Sequence, residues 1–319
     1  MKLRNCWSIG LLGAIIASAA DPPKAESPAA QKQASSDELY QTGKDLFDAF
    51  APPEIKARFE FPDKAQWDDF AGRLQRALEN NDLNELAQFE TEARAALAVL
   101  RTLPGNEENS GWLEERLDYI EAAKLASQPQ PSPLLPPPVN PAHPPQFIPH
   151  YDLWVQRLQA RPKPAGADRY IPRLGAVFIS AGLPSELAWL AEVESTFDPA
   201  AASPAGARGL FQLIPATAKE LGLSIFMPDE RKDPEKSAGA AAQMLIRLYK
   251  KFGDWPLAFA AYNAGAGRVQ RALSQQKATT FAGIASALPA ETRMYVPKVL
   301  AMLQVRAGMP LAGLVPPRI

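Results

Sequence analysis

Apolar residues recur at helical spacing along most of the chain. In the first half, four sets show it: Leu39, Leu46 and Phe47; Trp67, Phe70, Leu74 and Leu78; Leu83, Leu86, Phe89, Leu97 and Leu100; and Trp112, Leu113, Leu117 and Ile120. They predict three or four amphipathic helices. Pro52-Pro53, Asn80-Asn81-Asp82 and Pro104-Gly105 divide them as turn signals do, so residues 38–126 read as a small antiparallel helical unit.

A second series opens with Tyr151-Asp152-Leu153-Trp154-Val155 and continues with a helix from about Tyr170 to Ala181. A helix opened by Pro184 and closed by Pro199 follows, then a short one from Pro215 to Leu221 ended by Gly222. Asp233-Pro234 caps a long helix with Ala241, Met244, Leu245, Leu248 and Phe252 on one face and Gly253 at its end. Asp254 caps the next, whose inner side carries Leu257, Ala260, Ala261 and Ala264. The last block, 288–306, puts Tyr295, Val296, Val299, Leu300 and Leu303 on one face and should kink at Pro297. Strand-like alternation is nearly absent, so the expected fold class is mainly α.

Composition supplies the boundaries. Residues 1–20 run from Lys2 and Arg4 through an uncharged apolar stretch to Ala17-Ser18-Ala19-Ala20, the order of a cleaved secretory signal. The apolar part is shorter than the roughly 20 residues of a membrane span. Cys6 precedes the apolar run, whereas a lipoprotein cysteine would follow it, so no lipid anchor is indicated and the expected location is the periplasm. The mature chain would hold no cysteine and could not rest on disulfides. Residues 21–37 have too few large apolar side chains to offset the entropy of ordering and read as a flexible leader. Many of the chain's 32 prolines fall in 127–149, which reads as an extended, semi-rigid linker before a domain at 150–319.

A formal net charge of -1 over 319 residues gives no reason to expect nucleic acid. His143 and His150 flank the linker without a ligand cluster around them, so they should face water and no metal or other cofactor is expected. No GxGxxG, Walker loop, HExxH or GxSxG occurs, which removes the common nucleotide, zinc and serine-hydrolase readings.

One carboxylate is out of place. Leu187, Leu190, Ala191 and Glu194 fall at i, i+3, i+4 and i+7, which puts Glu194 on the face that should bury, while Glu192 turns toward Trp189 and solvent. Burial disfavours the charged form and keeps a glutamate protonated near neutrality, as a general acid must be. Glu194 is the candidate acid; the alternative is a carboxylate that caps or pairs at a helix end. Tyr262 and Asn263, at the end of an alanine-rich helix, read either as core hydrogen-bonding groups or as ligand contacts.

Glu194-Ser195-Thr196-Phe197-Asp198-Pro199, followed by Ser203-Pro204-Ala205-Gly206-Ala207-Arg208-Gly209-Leu210-Phe211-Gln212, resembles the signature of the soluble-lytic-transglycosylase family. Ala261-Tyr262-Asn263-Ala264-Gly265 and Glu291-Thr292-Arg293-Met294-Tyr295-Val296-Pro297-Lys298 match its later motifs in the same order. With Asp229-Glu230-Arg231, the last block resembles the branch called membrane-bound lytic murein transglycosylase D.

The resemblance implies a goose-type-lysozyme-like catalytic domain that acts on peptidoglycan glycan strands. One glutamate would protonate the oxygen between N-acetylmuramic acid and N-acetylglucosamine, then deprotonate the muramic 6-hydroxyl to close a 1,6-anhydro ring. It implies Glu194 as that group; Ser203, Gln212, Tyr262 and Asn263 as residues orienting the sugar and its acetamido group; and Glu291 and Tyr295 as cleft residues. The alternatives are a hydrolytic goose-type muramidase and a non-catalytic peptidoglycan-binding scaffold. The resemblance does not reach the first half, whose helical unit is left as a spacer, a docking surface for another envelope protein, or a cleft wall.

Overall fold

In a computed structural model of the chain, residues 76–101, 107–128, 147–203 and 206–318 are described, together with Lys44, Asp48, Pro53, Lys56 and Arg73. The expected signal at 1–20, the leader at 21–37, the helical patterns before residue 73 and most of the proline-rich stretch lie outside the described residues.

The described residues form α1 (Leu83–Ala87), α2 (Glu90–Leu100), α3 (Glu107–Ala126), α4 (Tyr151–Gln159), α5 (Ala167–Ser180), α6 (Leu190–Ser195) and α7 (Pro215–Glu220). They continue with α8 (Pro234–Phe252), α9 (Trp255–Ala264), α10 (Ala266–Gln276), α11 (Phe281–Ile284) and α12 (Ala290–Ala307). No strand occurs among them, only isolated bridges from Arg208 to Ala202 and to Leu213, so the mainly α expectation holds.

Local signals decided several boundaries. Asp233 accepts from the Lys236 N–H at 2.9 Å ahead of Pro234, and Gly253 leaves α8 with a left-handed φ of 65°. Asp254 caps α9 by accepting from the Leu257 N–H at 2.9 Å. Elsewhere tertiary packing moved the ends. The pattern from Leu83 to Leu100 breaks into α1 and α2 on either side of the buried Phe89. The segment after Pro184 starts as a 3₁₀ turn, Ser185–Trp189, and becomes α-helical only at Leu190. It stops at Ser195, well before Pro199.

The core is built around α12. Every residue from Met294 to Leu303 is buried, as in an internal helix rather than a surface one. It packs on α4, α9, α3, α6 and the Ser185–Trp189 turn, while α8 lies against α5 and α9. Helix α3, from the first half of the chain, therefore belongs to the same core as the helices after residue 147.

Charge secures this docking. Asp118 of α3, only 6% exposed, accepts from Arg157 at 2.7 Å and pairs with Lys298 of α12 at 3.0 Å and with Arg161. The Lys298 ammonium also lies 4.6 Å from the centre of the Tyr119 ring and 5.4 Å from that of Trp154. Burial acts to raise the Asp118 pKa, but Lys298, Arg161 and Arg157 outweigh it and hold the carboxyl well below the usual range. The Asn81 side chain donates to the Ser286 carbonyl at 2.6 Å, and the Ala290 N–H donates to the Asn80 carbonyl at 2.7 Å, joining the start of α12 to the residues before α1.

Asp118→Asn leaves Lys298 buried without its anion and should lower unfolding free energy by about 3–5 kcal/mol, read by urea titration at neutral pH. Because the folded-state pKa is depressed, the pair's stabilisation is present above the unfolded value of about 3.9 and fades as pH falls below it. The variant's deficit should therefore shrink in acid.

Candidate active site

Glu194 sits in the last turn of α6, where the backbone leaves the helix through two left-handed residues, Thr196 (φ 52°) and Phe197 (φ 62°). Non-glycine residues, above all β-branched ones, adopt that conformation only under constraint. The constraint is visible. The Thr196 and Phe197 N–H groups donate to the Glu192 and Ala191 carbonyls at 3.1 and 3.2 Å, and the Phe197 ring stacks on Tyr170 and meets Trp189 edge-on. The Ser195 hydroxyl lies 3.1 Å from the Ala191 carbonyl and 3.0 Å from that of Leu210, which ties the helix end to the following loop.

That loop, 201–213, is held from inside by Arg231. Its guanidinium donates to the Gly206 and Leu213 carbonyls at 2.6 and 3.1 Å and to Asp229 at 3.0 and 2.8 Å. Gly209 (φ 77°) passes so close that a Cβ there would stand 1.8 Å from the Arg231 carbonyl oxygen, so no other residue fits. The Asp-Glu-Arg element thus serves as a clamp for the loop.

The half-buried Glu194 carboxylate accepts from the Tyr295 hydroxyl of α12. Burial pushes its pKa up to about 8 against the opposing Tyr295 hydrogen bond; Glu115 and Glu291 add to the rise and Arg116 reduces it. Tyr262 and Tyr295 are themselves pushed well above the ordinary tyrosine value, by burial first and then by the Glu194 charge, so both remain O–H donors. Tyr262 donates to the Phe211 carbonyl at 2.8 Å. Asn263 donates to Glu291 at 3.4 Å and accepts from the Thr292 hydroxyl at 2.6 Å.

Glu194 opens onto a cleft of about 760 Å³. Its lining comes from α3 (including Glu115 and Asp118), the Arg161–Ala165 segment, α6 and its exit, Ala201, Ala202 and Gln212 of the loop, and Lys298 and Met302 of α12. Gln212 reaches this cleft, with its side-chain N–H donors directed at the Ala201 and Gly209 carbonyls at 3.2 and 3.0 Å. Ser203 is buried, and its hydroxyl accepts from the Ala207 N–H at 3.1 Å to close a turn. Glu194 and Tyr295 are therefore in contact, Tyr262, Asn263 and Glu291 stand on the adjoining helices, and Gln212 shares the cleft.

Two expectations fail. Glu192 does not face solvent: it is 8% exposed and makes a two-pronged pair with Arg306, at 3.1 and 2.9 Å, whose guanidinium also donates to the Arg161 and Pro162 carbonyls. Leu190, Ala191, Glu192 and Val193 are all buried, so the first turn of its helix has no solvent face for the pattern to identify. His150 does not simply face water either. It is half-buried with Nε2 lacking a partner, and burial, with Arg293 nearby, pushes its pKa down to about 4. No group of side chains suited to a metal ion occurs among the described residues.

Sequence reasoning missed Glu115 and Arg116. Arg116 bonds Glu115 at 2.8 Å and Glu291 at 3.4 Å, bringing α3 to the site. The available signal was Arg116 itself, at i+3 from Leu113 and four before Ile120, a cation on an apolar helical face.

A sheltered, weakly acidic carboxyl beside a cleft defines a site suited to general acid chemistry. Residues 179–284 match the family described as Transglycosylase SLT domain, and the chain carries that domain. Its match includes Glu194, Ser203, Gln212, Tyr262 and Asn263 and excludes α3 and α12. A membrane-bound lytic murein transglycosylase D of Escherichia coli K12 is 46% identical over 129 residues, which are 39% of this chain and 28% of that protein. A soluble lytic murein transglycosylase of Salmonella typhimurium is 38% identical over 120 residues, 35% of this chain and 19% of that protein. The chain thus matches less than a third of either relative's length. The crystal structure of the 70 kDa soluble lytic transglycosylase of Escherichia coli aligns with a TM-score of 0.40 at 20% identity, over 89% of this chain and 45% of that one.

Glu194→Gln and Glu192→Gln should separate the two carboxylates by stability alone. A folded-state pKa raised to about 8 means that Glu194 costs stability as pH rises from its unfolded value of about 4.3 through 8. The neutral amide removes that cost, so Glu194→Gln should melt higher than the parent at pH 8. Glu192→Gln instead strips Arg306 of its buried anion and should melt lower at neutral pH.

Proposed function

We propose that the chain is a peptidoglycan lytic transglycosylase, with 150–319 as its lysozyme-like catalytic domain, which cleaves the β-1,4 bond from N-acetylmuramic acid to N-acetylglucosamine and leaves 1,6-anhydromuramic ends. The observation that carries it is Glu194, protonated near neutrality, held by Tyr295 and opening on a cleft of about 760 Å³. The SLT domain and the murein-cleaving relatives named above support the substrate class.

Glu194 first donates its proton to the glycosidic oxygen as the bond breaks. The charge left on Glu194 is stabilised by the Tyr295 O–H, and the carboxylate then accepts the proton of the muramic 6-hydroxyl as that oxygen closes on C1. One group recovers its proton, and no water enters the products. Tyr262 and Asn263, with Gln212 and Ser203 on the loop, orient the sugar, and Glu291 and Tyr295 fix the cleft side. A hydrolytic muramidase would instead need a base for water, and Glu115, in the same cleft, is the carboxylate to test for it.

The signal-like start at 1–20 supports a periplasmic site of action, and no helix among the described residues is long and apolar enough to cross a membrane. Docking of another envelope protein on the helices before α3 is compatible with this reading but not needed by it.

Purified peptidoglycan digested in heavy-oxygen water should give muramic ends one water lighter than hydrolytic ones and free of label. Labelled reducing ends as the main product would refute the transglycosylase assignment. Glu194→Gln should lower turnover by about 10²–10⁴-fold or more while the protein stays folded. Parent activity should fall as pH rises past about 8, where the acid loses its proton.

A further inference from the structure

We infer that Glu115 and Arg116 of α3, a helix outside the SLT-domain match, are positioning residues of the Glu194 site, so that the catalytic centre is completed by the first half of the chain. The inference rests on the function proposed above.

A continuous set of contacts supports it. Arg116 reaches Glu115 at 2.8 Å on its own helix and Glu291 at 3.4 Å on α12. Glu291 accepts from Asn263 of α9 at 3.4 Å, and the other end of that amide accepts from Thr292 at 2.6 Å. The guanidinium thus braces the carboxylate that fixes which way Asn263 points, next to Tyr262. An amide held at both ends presents one defined face to a ligand, whereas a free one would sample two.

Glu115 shares the cleft with Glu194. Both Glu115 and Arg116 are only about one-fifth exposed, with side chains 21% and 17% accessible, so water screens their fields weakly. The two act in opposite senses. The Glu115 carboxylate disfavours a second negative charge on Glu194, and the Arg116 cation favours it.

The other groups facing Glu194 come from every neighbouring element: Tyr295 and Glu291 from α12, Tyr262 from α9 and Tyr119 from α3. Arg161 and Lys163 in the cleft wall are engaged by Asp118 and Asp168. Paired opposite charges on one helix let α3 set both the geometry and the proton affinity of the site.

The test uses the full chain, intact peptidoglycan and a pH profile of turnover. Glu115→Gln should move the alkaline limb to lower pH, and Arg116→Gln should move it to higher pH. Loss of the Glu291 brace in Arg116→Gln should also reduce turnover by up to about 10²-fold. Arg116→Lys keeps the charge without the fork; it should restore the limb but only part of the rate, and it carries the test if Arg116→Gln fails to fold. Lys124→Gln, on the same helix with an ion pair to Glu90, should match the parent in both.

Carboxyl NMR of Glu194 reads the same two opposed shifts without turnover, which separates this inference from the proposed reaction. Limbs and titrations unchanged in both Glu115→Gln and Arg116→Gln, or displaced in the same direction, would overturn it. Labelled muramic ends that vanish in Glu115→Gln would also overturn it, by making Glu115 a base for water.

Discussion

A helix buried on every side can carry polar groups only where each meets a partner, because an unmatched one loses its water without return. On α12, Thr292, Tyr295, Lys298 and Arg306 recur at intervals of three, three and eight, a single stripe with Met302 inside it. Each polar member has its partner: Thr292 meets Asn263 of α9, Tyr295 and Arg306 meet Glu194 and Glu192 of α6, and Lys298 meets Asp118 of α3. The rest of the structure depends on this stripe. It fixes where three helices must dock, and the cleft lies where two of them, α3 and α6, flank α12. Two of its members, Lys298 and Met302, are cleft surface themselves.

Rigidity at the site comes from the opposite direction as well. The turn that ends α6 is strained, and strained backbone persists only where surrounding contacts over-determine it. Here the aromatic trio of Tyr170, Trp189 and Phe197 and the Ser195 bridge to Leu210 supply those contacts, while Arg231 locks the loop that follows. The carboxylate is consequently placed by packing on both flanks and keeps little freedom to swing toward solvent. A buried acid that could escape into water would lose the raised pKa that makes it useful.

Local chemistry was legible in the sequence; long-range electrostatics was not. Asp233 with Pro234, Gly253 and Asp254 set their helix ends through neighbours a few residues away, so reading them required no knowledge of the fold. Glu194 stood out because it interrupted an apolar face. Glu192 was misjudged because a single helical wheel was laid over a 3₁₀ turn and an α-helix. The tighter turn advances the wheel by about 20° more per residue, roughly 100° over five residues. Its burial also depends on Arg306, a partner that no local pattern points to. Likewise, Glu115 and Arg116 lie on a helix that reads as a separate unit until the ion pairs of Asp118 show where it docks.

The hydroxyl that holds Glu194 belongs to a residue 101 positions further along the chain. In a ribosome-borne or partly folded chain, residues 179–284 of the SLT-domain match are present before α12 exists to complete the site. Until then Glu194 has neither its tyrosine nor the enclosure that keeps it protonated, and such non-local contacts form late because loop closure must be overcome first. A chain that already displays residues 179–284 but not yet α12 therefore has no sheltered acid, and the raised proton affinity of Glu194 arrives only together with the finished core.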